Sequence, residues 1–195
     1  EDPSNLYPWL HAAKSKNFNV KLIKTDGRSI SLGNYLDNID EHTKIVAASF
    51  VQADSGARIA LSELGNFCRK KGIILSVDAI QGIGRLNVDV RECSIDYLSC
   101  GGFKALGAGF GIGFSYCRKE ILPNVAPMIV GSGSTINDPI PPRVYTNNDV
   151  LHFLNNAERF EGGSTNTIGI WLLHHSLSLQ SELGKENIDK HVIGL

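Results

Sequence analysis

The chain predicts an α/β fold, a three-layer sandwich with a mostly parallel central sheet and helices on its faces. Three observations carry that expectation. Four short, nearly continuous apolar runs occur: KIVAASFV at 44–51, GIILSVDA at 72–79, IDYLSC at 95–100 and GIGFSYC at 111–117. Such runs suit strands buried on both faces. Between the first two lies a segment at 60–71 in which Leu61, Leu64, Phe67 and Cys68 recur at helical spacing, closed by Gly72, the pattern of an amphipathic crossover helix. The length of 195 residues suits one domain or a piece of a larger protein.

The elements follow in order. A helix is expected over 5–16 with Ser4 as N-cap, because a serine hydroxyl can accept from a free amide of the first turn. VKLIKT at 20–25 alternates as a strand and runs into a turn at Asp26-Gly27. A short helix is expected over 31–39, then the strand, helix and strands above. Residues 123–148 are rich in Pro, Gly, Asn and Asp and read as a long irregular loop within the same domain, the kind that is functional or disordered. Helices are expected over 149–157 and 167–183, with a third starting at 185. The opening EDPSNLYPWL has no methionine and the closing IDKHVIGL stops inside a helical pattern, so the expectation is a domain truncated at both ends, with apolar faces left uncovered.

Composition narrows the function. The chain carries 19 Lys+Arg against 20 Asp+Glu, a net charge of −1, which supports neither a nucleic-acid groove nor a polybasic membrane patch. No apolar run is long enough to cross a bilayer. The four cysteines, Cys68, Cys93, Cys100 and Cys117, have neither C-x-x-C spacing nor scaffold density, so a reducing cytoplasm is the natural location.

In an open α/β sheet, ligands bind beyond the carboxyl ends of the strands. There the sequence places Asp78, Gln81, Gly82 and Gly84 after the second apolar run, and Cys100, Gly101, Gly102, Phe103 and Lys104 after the third. A carboxylate ending an apolar strand is costly unless paired, and serves either as a cap or as a functional group. Lys104 follows Gly-Gly and is flanked by small and apolar residues. A lysine in a partly desolvated setting loses proton affinity and becomes a nucleophilic amine suited to Schiff-base chemistry. Competing motifs fail. GAGFGIG at 107–113 has Ile112 where a dinucleotide loop needs its last glycine. No Gly-Lys-Ser/Thr phosphate loop occurs. GGSTN at 162–166 lacks the final glycine of a nucleophile elbow. His174 and His175 are adjacent on a helix and cannot share a zinc.

Three ordered blocks, SVDAIQGIG, IDYLSCGGFKALGAGFGIGFSYCRKE and RFEGGSTNTIGIWLLHHSL, together with the opening EDPSNLYPW, resemble the class V aminotransferases, fold-type I pyridoxal-phosphate enzymes that include the cysteine desulfurases. The resemblance spans nearly the whole chain and implies a partial large domain over 1–195. It implies pyridoxal 5′-phosphate as cofactor, an amino acid as substrate and a homodimer in the full-length protein. Lys104 matches the lysine of the internal aldimine and Asp78 the carboxylate that pairs with the pyridine nitrogen. Gln81 matches the side chain beside the ring hydroxyl. Ser164 falls at the threonine of the F-E-x-G-T-x-N block, which reaches a phosphate across the dimer interface. Ser99 and Cys100 lie toward the phosphate side.

The chain departs from the desulfurase pattern in three places: Phe103 stands where histidine is common, Gly101 where a hydroxyl is common, and Ala53 where desulfurases have asparagine. Phenylalanine cannot transfer a proton. These departures weaken the desulfurase reading and leave aminotransferase, epimerase or β-lyase activity open; the reading is a class V aminotransferase-type enzyme, with a cysteine desulfurase, selenocysteine lyase or epimerase of the same family as alternatives. A non-enzymatic scaffold of the same fold is the remaining alternative, and it has no physical need for Asp78, Gln81 and Lys104 together.

Overall fold

Residues 2–24, 30–136 and 151–195 are described by a computed structural model. Four strands, β1 (Ile45–Ser49), β2 (Ile74–Asp78), β3 (Tyr97–Gly101) and β4 (Gly113–Cys117), form one sheet in the order β1-β2-β3-β4. β1 pairs with β2, and β2 with β3, in parallel; β4 runs antiparallel to β3. The sheet is therefore mostly parallel, as the apolar runs predict.

The two faces of the sheet differ. Val46, Ala48, Leu75, Val77, Leu98 and Cys100 are all buried, and period two places them on one face. That face carries the core with α3 (Leu61–Lys71), which contributes Leu61, Leu64, Gly65 and Cys68. Gly65 has to be small, because a Cβ there would sit 1.9 Å from the Cys93 carbonyl oxygen. Gly72 ends α3 with φ 69°, a left-handed cap that glycine adopts without penalty. On the opposite face, Ser99 and Ser115 are exposed and Ile45 is 43 % exposed.

At the amino edge of the sheet, buried Asp96 joins three elements. Its carboxylate accepts from the Leu75 amide at 2.9 Å, from Arg69 of α3 at 3.2 Å and from Arg118 just beyond β4 at 2.5 Å. Burial of a carboxylate is tolerable here because every partner carries a donor.

Four further helices complete the described fold. Helix α1 (Pro3–Lys16) is capped by Asp2, whose side chain accepts from the Ser4 amide at 2.8 Å, so Ser4 lies inside the helix and is not its cap. Helix α2 (Leu32–Leu36) is held by a reciprocal Ser31–Asn34 capping box. Helix α4 (Thr167–Leu183) starts at Asn166, which accepts from the Gly169 amide at 2.9 Å and donates to the Gly111 carbonyl at 3.0 Å. Further along, Gln180 donates to the Ala105 carbonyl at 2.9 Å. These bonds fasten α4 to the loop after β3. Ile168, Trp171, Leu179 and Leu183 of α4 are more than half exposed. Helix α5 (Lys185–Ile193) follows.

Some expectations need correction. Within 20–25, the described residues 20–24 form no strand. Ile23 packs on the core and Lys21 donates to the Asn38 carbonyl; alternation predicts which side chains are buried, but not that a ladder partner exists. The expected turn at Asp26-Gly27 lies outside the described residues. The expected helix over 149–157 is not formed by its described residues. Instead Thr135 bridges Phe153, the Leu154 amide donates to the Ser134 carbonyl, and a 3₁₀ turn covers Ala157–Phe160. Asn156 explains the late start, since its side chain caps that turn at the Glu158 amide. The loop over 123–148 is described only to residue 136 and contains 3₁₀ turns at Leu122–Asn124 and Ser132–Ser134.

Candidate functional site

Strand register sets the site. Ser49 pairs with Asp78, Asp78 with Ser99, and Ser99 with Ser115. All four strands thus place a polar residue in one row across the sheet, on the face opposite the core. This row lies at the carboxyl ends of the parallel strands, and the antiparallel β4 enters the sheet there. A cavity of about 640 Å³ opens along it, with Asp78, Ser99 and Ser115 in its wall. Ser4 and Asn5 at the start of α1 and Phe160 and Glu161 near the 3₁₀ turn also line it.

Asp78 is half-buried at the end of β2, and its Oδ1 accepts from the Ile80 amide at 3.0 Å. The chain then turns sharply through 79–86, with Gly82 against the Phe50 ring, where a Cβ would lie 2.1 Å from Cδ1. Gln81 sits in this turn, half-buried, its carbonyl accepting from Arg85 Nη1 at 2.9 Å. Its side chain is not part of the cavity wall.

Lys104 lies in the loop after β3 and is half-buried. Its Nζ is 5.9 Å from the centre of the Phe103 ring, and Phe103 stacks on Phe110 at 5.0 Å. The loop closes on itself: Gly102 donates to Ile112 O at 2.8 Å, Gly107 to Lys104 O at 2.9 Å and Ala108 to Gly102 O at 2.8 Å. Gly107, Gly109 and Gly111 have φ of 61°, 75° and 78°, so GAGFGIG is a chain of left-handed turns and not a nucleotide motif.

Asp78 and Lys104 both act on the Cys100 thiol. Burial first, and the Asp78 charge second, raise that thiol and Lys104 pulls it down, which leaves it at about 11. Both charges therefore act on one thiol in the cavity wall. The Lys104 charge also helps hold the Asp2 carboxyl low, behind the larger effect of the Ser4 hydrogen bond. Cys100 itself stays protonated at neutral pH and is no nucleophile there.

Of the residues singled out by sequence, Asp78, Ser99 and Cys100 lie in the cavity wall, whereas Lys104 lies outside it in the loop after β3. Gln81 and Ser164 lie outside the wall, and Ser164 is exposed in the turn before α4. Sequence reasoning missed Ser4, Asn5, Ser115 and Glu161. Ser115 could have been found by treating β4 as antiparallel, which brings GIGFSYC into the site by its first half. Among the described residues no cluster of His, Cys, Asp and Glu could hold a metal ion, and no described helix is long and apolar enough to cross a membrane.

Known proteins agree with this architecture. A probable cysteine desulfurase of Methanothermobacter thermautotrophicus is 29 % identical over 192 residues, covering 98 % of this chain and 46 % of its own length. The apo structure of a cysteine desulfurase from Thermococcus onnurineus superposes with a TM-score of 0.84 at 27 % identity, covering 97 % of this chain and 46 % of that one. A C-DES variant with glycine covalently linked to the PLP cofactor shares the fold at a TM-score of 0.76 and 19 % identity, covering 98 % of this chain and 49 % of that one. The chain thus spans about half the length of the proteins it matches. The family model for Aminotransferase class-V matches residues 1–195, so the strand-end aspartate, the glycine-flanked lysine and the mostly parallel sheet belong to a member of the class V aminotransferase family.

Proposed function

We propose that this chain is the cofactor-binding part of a pyridoxal-phosphate-dependent enzyme that acts on an amino acid, with Lys104 as its reacting amine. The observation that carries the reading is Asp78 in the wall of a cavity at the carboxyl edge of the sheet, with Lys104 half-buried in the loop that follows β3 at the same edge. The donor set fits the ring and aldehyde of the cofactor. Asp78 would face the pyridine nitrogen and hold a proton on it, since a carboxylate favours the charged form of a basic neighbour. The Lys104 amine would hold the aldehyde carbon of the cofactor. Gln81 would lie beside the ring hydroxyl and Ser164 toward a phosphate of the partner subunit in a homodimer. When bound, the cofactor supplies an electron-poor ring that delocalises the electron pair left at a substrate's α-carbon. The Lys104 amine would take and return the α-proton of the substrate.

Within that class the reading is an aminotransferase-type activity. Cysteine desulfuration is the second reading, favoured by the relatives' names. Phe103 and Gly101 depart from the desulfurase pattern, and neither carries a titratable group. The four free cysteines fit a reducing cytoplasm. The direct test is absorption spectroscopy of the chain with pyridoxal 5′-phosphate. The wild-type chain is expected to develop a visible band that Lys104→Ala abolishes and Asp78→Asn shifts. An unchanged band in Lys104→Ala would refute the assignment of that lysine, and no band in the wild-type chain would favour a scaffold.

A further inference from the structure

The glycine-rich loop that follows Lys104 lies along one face of α4, and the contacts step in register. At the helix N-cap, Asn166 donates to the Gly111 carbonyl at 3.0 Å; near the other end, Gln180 donates to the Ala105 carbonyl at 2.9 Å. Between these bonds, a Cβ on Gly109 would lie 4.0 Å from Leu172 Cδ1, and one on Gly107 3.3 Å from Ser176 Oγ. Gly111, Gly109, Gly107 and Ala105 thus meet Asn166, Leu172, Ser176 and Gln180, two loop residues to about one helical turn. The intervening Leu106 and Ala108 are buried. Three of the four loop residues that face the helix are glycine, which lets the backbone approach it closely. Such a backbone is costly to order, because glycine loses the most freedom. α4 meets that cost as a rigid element of 17 residues that bonds the loop at both ends. The bond from Gln180 is the one beside the chemistry. Ala105 directly follows Lys104, and the Lys104 carbonyl is itself held by the Gly107 amide at 2.9 Å. Two successive carbonyls at Lys104 are therefore tied, one within the loop and one to α4.

We propose that Gln180 is a positioning residue for Lys104: by holding the Ala105 carbonyl it sets where the amine of the preceding residue reaches. The proposal rests on the function assigned above. It makes α4 a splint for the reacting lysine, and it gives GAGFGIG a use, as the strip that the splint grips. A reacting group on a loop needs such support, since a misplacement of about 1 Å can cost roughly a hundredfold in rate.

The test pulses the chain with sub-saturating pyridoxal 5′-phosphate, reduces it with borohydride and quantifies the adducts on Lys104 and on exposed Lys14 by mass spectrometry. Gln180→Leu keeps bulk and removes the donor. Gln180→Glu keeps the shape and turns an acceptor toward the Ala105 carbonyl. The ratio of Lys104 to Lys14 adduct is expected to fall about fivefold in both, the size of one net hydrogen bond. Hydrogen exchange supplies a second reading that is independent of the cofactor. The Gly107 and Ala108 amides, which close the loop, are expected to exchange about fivefold faster in both variants, while the amides of β2 keep their wild-type rates. Ser178→Ala, on α4 but off the facing positions, is expected to change neither reading. A labelling ratio within about twofold of wild type in both variants would overturn the proposal. So would a fall in the ratio accompanied by faster exchange throughout the sheet, which marks loss of the fold and not of position. A wild-type chain in which Lys104 labels no more than Lys14 would refute the functional assignment, and the positioning role with it, even where Gln180→Leu still loosens the loop. The two failures are therefore distinguishable.

Discussion

Two aspartates on one sheet show how position divides structural from chemical work. Asp96 sits at the amino edge, 2 % exposed, and its two oxygens are shared among the Leu75 amide, Arg69 and Arg118. Asp78 ends β2 at the carboxyl edge, half-buried, with Oδ1 on the Ile80 amide and the cavity in front of it. The first carboxylate ties α3, β2 and β4 together. The second is placed in a row of hydroxyls beside open space. A carboxylate already saturated by cations has no capacity for a ligand, whereas one in a cavity wall faces the space a ligand would take.

The strongest way to test that contrast is to remove each carboxylate in turn. Asp96→Ala leaves Arg118 and the Leu75 amide without their acceptor, and is expected to cost roughly 3 kcal/mol of stability, read as a lower urea midpoint. A loss below about 1 kcal/mol would mean that the cluster is ornamental. Gly65→Ala probes the same end of the molecule, where α3 meets the Cys93 carbonyl. Its clash with backbone should cost about 2 kcal/mol, measurable in the same denaturation series.

The pH dependence comes from the buried thiols. Desolvation raises Cys68 and Cys100 to about 11 from the ordinary 9.0. Between those values the unfolded chain releases protons that the folded chain keeps, so the unfolded state binds fewer, and stability falls as pH rises through that window. Below it the contribution is fully present. Denaturation at increasing alkaline pH should show the fall, and Cys68→Ala with Cys100→Ala should flatten it. The smallest stability effect is expected from Asp78→Asn. The substitution keeps size and an acceptor, so the urea midpoint should shift by less than about 1 kcal/mol, while cofactor retention drops. A large stability loss with unchanged retention would make Asp78 a second Asp96.

The sequence told these two aspartates apart only partly. Asp78 was legible because an apolar run ends on it and a glycine turn follows, which marks the ligand-binding edge of a parallel sheet. Lys104 was legible from its small and apolar neighbours. Asp96 was hidden, because its partners Arg69 and Arg118 come from elements 27 and 22 residues away, and charge pairing at such distance leaves no local pattern. Glu161 and Asn5 were hidden for the same reason: they reach the cavity through tertiary folding. The direction of β4 was not readable either, since alternation is identical in both directions. A helix is expected over 149–157, yet Asn156 caps a 3₁₀ turn and Phe153 pairs with Thr135, a case of tertiary pairing overriding local preference.

The most direct test of the account maps the lysine that takes the cofactor. The chain is mixed with pyridoxal 5′-phosphate, reduced with borohydride, digested and sequenced by mass spectrometry, with Asp78→Asn run in parallel. The account predicts one dominant phosphopyridoxyl adduct on Lys104, weakened in the Asp78 variant. Modification spread over Lys14, Lys70 and Lys185, with Lys104 no more reactive than they are, would contradict it.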